Sequence, residues 1–169
     1  MCGGSGRLIA CRWSDDKLKI IAATVAFGMG INKTDVRFVI HFQLPHSLTH
    51  YYQEAGRAGR DRKPADCILF FNYGDKNQIE ALIRKSENQL MTHHNLQELQ
   101  RVVAYCQNSI DCRRSLILQY FSEEFEASHC GDVMHILCDN CCNRDTVEVV
   151  DVTDAAARVA RLGSVEVVR

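Results

Sequence analysis

No stretch of about 18 consecutive apolar residues occurs, so the sequence offers no membrane span. The charges nearly cancel, at 20 Lys and Arg against 21 Asp and Glu, for a formal net charge of -1. That excludes a uniformly basic nucleic-acid binder but leaves room for a local basic surface. The opening MCGGSGRLIACRWSDD has only a very short apolar stretch and no cleavage context, so no secretory signal is read and a cytosolic or nuclear setting is expected. Internal repeats and low-complexity tracts are absent, and the two prolines, Pro45 and Pro64, both lie in the first half. A phosphate loop is missing too. IIAATVAFGMGINKT ends in Lys33 and Thr34, but Asn32 and Phe27 stand where that loop needs the two glycines that let its backbone curl around phosphates. The segment reads instead as a strand followed by a turn in which Gly28 and Gly30 can take positive φ or admit another backbone.

What is present describes a globular chain of 169 residues, 46% hydrophobic and 24% charged, enough for one medium domain or two small ones. Apolar, β-branched runs predict strands over residues 18–24, 36–42 and 67–72. Between the last two, SLTHYYQEAGRAGR predicts a helix with Ser47 as N-cap, just after Pro45. Strands alternating with a helix predict an α/β layer. From about Asp75 the strands stop, and DKNQIEALIRKSEN, HHNLQELQRVVAYCQN and CRRSLILQYFSEEF carry apolar residues at helical spacing. The second half is expected to be helical.

Nine cysteines in a chain without a secretory signal are better explained by metal or buried thiols than by disulfides. Cys138 and Cys141 form a C-x2-C pair, a gap that turns two sulfurs and the amides between them toward one ion. Cys130 lies eight positions upstream, and Cys112 heads a helix with an Arg-Arg beside it. Four thiolates would complete a tetrahedral site. Spacing leaves open whether Cys142 replaces Cys141, or His129 or His135 replaces Cys130. Cys67 and Cys106 are expected to be small buried hydrophobes.

YYQEAGRAGRDRKP places Gln53, Arg57 and Arg60 at spacings of four and three, on one helix face or its continuing turn, with Gly56 and Gly59 keeping the surface open. Guanidinium groups stay charged and donate in a fork, which suits a transferring phosphoryl group. A solvated basic helix is the plain alternative.

ATVAFGMGINKTDVRFVIH and HYYQEAGRAGRD resemble motifs V and VI of superfamily 2 helicases, and DCRRSLILQYF with the later cysteines resembles the zinc-binding domain of the RecQ family. The likeness is to eukaryotic RecQ helicases of the Bloom type and runs over roughly residues 19–157. It implies an α/β, partial RecA-like helicase C-terminal lobe over 19–74, a mainly helical zinc-binding domain over 75–145, and the start of a winged helix over 146–169. Residues 1–18 are left unmatched. By the same resemblance Thr24, Gly28 and Gly30 fall in the motif V loop, which senses nucleotide and touches the DNA backbone. Gln53, Arg57 and Arg60 fall on motif VI at the ATP, with Arg60 as arginine finger and Arg57 as its companion. Cys112, Cys130, Cys138 and Cys141 fall on the ligands of one structural Zn²⁺.

The implied parent is a nuclear, ATP- and Mg²⁺-dependent DNA helicase working 3'-to-5' on single-stranded DNA and duplex junctions in recombination, repair and replication. No membrane partner is expected, and protein partners are unknown. Asn32 and Thr34 depart from the aspartate and proline usual in motif V, and Arg62 from the usual glycine after Gly-Arg-Asp. With no phosphate loop and no Asp-Glu-x-His box, the chain is expected to be a fragment that is inactive alone. A non-catalytic zinc-containing nucleic-acid-binding or scaffold protein is the alternative.

Overall fold

The computed structural model describes residues 5–24, 33–85, 89–132, 135–148 and 150–162. A first helix, α1 (Ser5–Ser14), precedes a parallel two-stranded unit: β1 (Phe38–His41), the crossover helix α2 (Leu48–Ala55) and β2 (Asp66–Leu69). The strands pair in register, Phe38 opposite Asp66 through His41 opposite Leu69. Pro45 cannot donate to a ladder, and Ser47, extended at φ -157°, accepts the His50 amide at 3.2 Å, so α2 starts where the local chemistry favours it.

Strand side chains alternate in direction, so the pair has two unlike faces. One meets α2: the Cys67 thiol donates to the Ala55 carbonyl at 3.5 Å, and His41 Nε2 lies 2.7 Å from Glu54. The other carries Phe38, Ile40, Ile68 and Phe70, all exposed, with Phe42 and Phe70 in edge contact at 6.3 Å.

The helical half follows as α3 (Tyr73–Arg84), α4 (Gln89–Gln107) and α5 (Arg113–Tyr120), then a 3₁₀ turn (Ala127–Gly131), the short α6 (Asp139–Cys142), a second 3₁₀ turn (Arg144–Thr146) and α7 (Thr153–Leu162). Asn72 caps α3, accepting from the Gly74 amide at 2.8 Å. On α4, Leu99, Val102 and Val103 form a buried stripe at helical spacing. They pack with Leu44, Leu48 and Tyr51 from the α/β unit and Ile117 from α5, making one core across both halves. Leu99 is 1% exposed, and truncating it to alanine costs about 2–5 kcal/mol. At the core's edge a polar chain runs Thr49, Tyr120, Glu98, Arg101, with contacts of 3.1, 2.7 and 2.7 Å.

The predicted strand over 18–24 does not form: this stretch has no ladder partner among the described residues, and an apolar run alone cannot supply one. The other two strands are shorter than expected, four residues each. Cys67, expected to be buried, is exposed on its short edge strand. No helix of the described residues is long and apolar enough to cross a membrane.

Candidate metal centre and arginine turn

Three local structures bring four cysteines to a common point. Cys112 sits at the N-terminal cap of α5, Cys130 in the first 3₁₀ turn, Cys138 at the cap of α6, and Cys141 within α6. Their sulfurs all lie within 4.8 Å of one another, and those of Cys112 and Cys138 are 3.9 Å apart. Zn–S bonds of about 2.3 Å in a tetrahedron separate sulfurs by about 3.8 Å, so this donor set fits the ion. Amides also aim at the sulfurs: Arg113 and Cys141 donate to Cys138 Sγ, and Cys138 to Cys130 Sγ, each at 3.4 Å.

Burial pushes the Cys112 thiol up, but hydrogen bonds from Ser115, Cys130 and the Arg114 amide outweigh it and bring it down to about 7. Burial and the crowding thiols of Cys138, Cys112 and Cys130 push Cys141 up to about 12. Thiols this close cannot all ionise by themselves, and a dication removes the conflict. Cys142, His129 and His135 are exposed and lie outside the group, while Cys112 and Cys130 are buried.

Residues that spacing did not single out hold this centre. The Arg113 guanidinium forks onto Asp139 at 3.0 Å from both Nε and Nη2, and it also donates to the Tyr105 carbonyl. Burial raises the Asp139 carboxyl, yet Arg113 prevails and holds it below the usual carboxylate range. Arg114 Nη1 reaches Cys130 Sγ at 2.7 Å, the Ile136 carbonyl at 2.9 Å and the Cys130 carbonyl. Asn140, buried, donates to the carbonyls of Asn108 and Asp111 at 2.9 and 2.8 Å, fastening α6 to the end of α4. The sequence signal for this group was the Arg-Arg directly after Cys112.

The second candidate site is a turn. Gln53 is exposed on α2, which stops at Ala55, so Arg57 and Arg60 stand in the turn that follows. Arg57 is half-buried and Arg60 exposed, its Nε 3.5 Å from the Gly56 carbonyl. The turn is tied to the approach to β1: the Gly59 amide donates to Val36 at 3.0 Å and the Asp61 amide to Thr34 at 3.1 Å. Arg37 grips the Asp61 carboxylate at 2.5 Å and the Pro64 carbonyl at 2.8 Å, and its hydrogen bond lowers the Asp61 carboxyl. Gly59 has φ +65°, and a Cβ there would meet the Lys63 carbonyl at 3.0 Å. Arg62 holds φ 62° with a side chain present, which gives the glycine expected at this position its physical reason.

Thr24 is exposed. Gly28 and Gly30 lie outside the described residues. Lys33, at the end of the segment that imitates a phosphate loop, is engaged by Asp16 at 2.8 Å and Asp35 at 3.0 Å and lies over the Trp13 ring. These carboxylates occupy the ammonium that a phosphate would need.

Comparison with known proteins gives two family matches: "Helicase conserved C-terminal domain" over residues 7–62 and "RecQ zinc-binding" over residues 73–142. The chain is 46% identical over 154 residues to the yeast "ATP-dependent helicase SGS1" of Saccharomyces cerevisiae, covering 89% of this chain and 10% of that protein. It is 42% identical to "RecQ-like DNA helicase BLM" of Xenopus laevis, covering 89% of this chain and 11% of that one. To "ATP-dependent DNA helicase Q1" of Rattus norvegicus it is 46% identical, covering 85% of this chain and 21% of that one. The chain therefore spans roughly a tenth to a fifth of these relatives' length.

Proposed function

This chain carries the helicase C-terminal and zinc-binding domains of the RecQ family, and from that premise we propose that it is the ATP-coupling and DNA-facing part of a 3'-to-5' DNA helicase. We place the lobe at 19–74, the zinc-binding domain at 75–145 and the start of a winged helix at 146–169. ATP with Mg²⁺ supplies a transferable phosphoryl group whose developing charge must be stabilised. In this reading Arg57 and Arg60 approach that charge from one wall of the nucleotide cleft, and Gln53 senses the bound nucleotide. Thr24, Gly28 and Gly30 meet the DNA backbone. Zn²⁺, held by Cys112, Cys130, Cys138 and Cys141, is structural, because four thiolates leave no open position for water. The setting is nuclear, in DNA recombination, repair and replication.

The observation that carries the reading is the pinned arginine turn: Arg37, Val36 and Thr34 fix the backbone around Asp61 and Gly59, so the two guanidiniums start from a defined base. Preorganised charge is what phosphoryl transfer demands of a protein. Unwinding by the complete polypeptide tests it, using duplexes with a 3' or a 5' single-stranded tail. Nucleotide-dependent unwinding of the 3'-tailed duplex is expected; unwinding of the 5'-tailed one alone, or without ATP, overturns it.

A further inference from the structure

We propose that Arg114 positions the Cys130 corner of the metal centre and, with Arg144, balances its charge. The inference rests on reading the four cysteines as a zinc centre. A dication bound by four thiolates leaves two net negative charges in a half-buried place, where unbalanced charge is expensive. Arg113 cannot offset them, since its guanidinium is committed to Asp139. Arg114 and Arg144 have no carboxylate partner among the described residues. Instead each faces a sulfur: Arg114 Nη1 is 2.7 Å from Cys130 Sγ, and Arg144 Nη2 is 3.8 Å from Cys141 Sγ. Two guanidiniums thus stand against two surplus negative charges, each at a different sulfur of the cluster.

Arg114 does more than neutralise. By donating to the carbonyls of Cys130 and Ile136 it staples both ends of the segment between Cys130 and Cys138, in which Asp132, His135 and Leu137 are exposed. All three contacts converge on one nitrogen, Nη1, which the rigid guanidinium frame holds in place; a lysine ammonium supplies the charge on a flexible stem that does not fix it there. Donors aimed at a metal thiolate also draw off its electron density, which makes the sulfur a poorer nucleophile.

The test uses the 169-residue chain loaded with zinc. Three quantities are read: zinc affinity by chelator competition, the intensity of the thiolate-to-cobalt charge-transfer band after Co²⁺ substitution, and the alkylation rate of each cysteine by iodoacetamide, mapped by mass spectrometry. Arg114→Leu is expected to weaken zinc binding about 10- to 100-fold, as outer-shell changes do, to dim the cobalt band and to hasten alkylation at Cys130 first. Arg114→Lys should recover part of the affinity but still leave Cys130 alkylated faster than in the wild type. If Arg114→Leu gives no soluble chain, the lysine variant decides on the same readouts. Wild-type affinity and wild-type Cys130 alkylation in the variants overturn the inference. A wild-type chain that binds no zinc overturns instead the zinc reading on which it rests.

Discussion

Thr49 Oγ1 and Tyr120 Oη, 71 positions apart in sequence, lie 3.1 Å from each other across the boundary between the α/β unit and the helical half. Tyr120 donates its proton to Glu98 at 2.7 Å, so Thr49 is the donor to Tyr120. Glu98, 6% exposed, is also held by Arg101. The chain of bonds joins the helix that leads into the Arg57 and Arg60 turn to the helices that carry the metal centre.

Tyr120→Phe should therefore destabilise the chain by roughly 1.5–3 kcal/mol, the worth of a hydrogen bond to a buried charge, and Thr49→Val by roughly 0.5–1.5 kcal/mol. Urea unfolding of the two single variants and the double variant checks it. Unchanged midpoints would mean that water replaces the hydroxyls at no cost.

For the metal centre, elemental analysis of the purified protein should find one zinc per chain. Cys138→Ser should lower metal content and soluble yield together, whereas Cys67→Ser, in β2, should leave the metal unchanged. Cys141→Ser should lose zinc and Cys142→Ser keep it; the reverse would exchange the ligand assignments. Because the bound thiols are deprotonated, lowering the pH should weaken zinc binding.

On the proposed reading, Arg60→Ala in the complete polypeptide should leave DNA binding nearly intact and lower ATP turnover by about 10³-fold or more, as for a lost arginine finger. Turnover within a few-fold of wild type would make Arg60 a surface residue and pass the role to Arg57.

Arg62→Gly should stabilise the chain by about 1 kcal/mol, by relieving a left-handed backbone in a residue with a Cβ. Denaturant midpoints compare the two chains directly. A loss of stability would show that the arginine side chain makes a contact worth more than the strain.

Assayed alone, the 169-residue chain should show no DNA-stimulated ATP hydrolysis, because its sequence holds no phosphate loop to position Mg²⁺ and phosphates. Robust turnover by a preparation free of other ATPases would refute this.

Features set by local chemistry were the readable ones. Ser47 and the helical stripe of Leu99, Val102 and Val103 act within a turn or two of themselves, so their elements stand close to where the sequence put them. Residues 18–24 failed because a strand needs a neighbour, which no apolar run specifies. At the metal centre, spacing exposed the pair Cys138 and Cys141 but could not choose between Cys130 and its flanking histidines. That choice depends on which side chain the 3₁₀ turn directs inward. Arg114 was visible only as one half of Arg-Arg, since its function depends on Ile136, 22 residues away. For Lys33 the sequence sufficed to reject a phosphate loop, since Asn32 and Phe27 stand where glycines are needed, but not to show Asp16, 17 residues away, as its partner.

The bare face of the parallel strand pair bears on the handling of the protein. Phe38, Ile40, Ile68 and Phe70 are exposed side by side, with Phe42 at 82% exposure beyond them. Among the described residues they lie on a sheet of two strands, each with an open edge. Such a surface invites edge-to-edge and face-to-face association. The isolated chain is accordingly expected to aggregate as its concentration rises, starting from this face. Polar substitutions at Phe42 and Phe70 would improve its solubility without touching either the cysteines or the arginine turn.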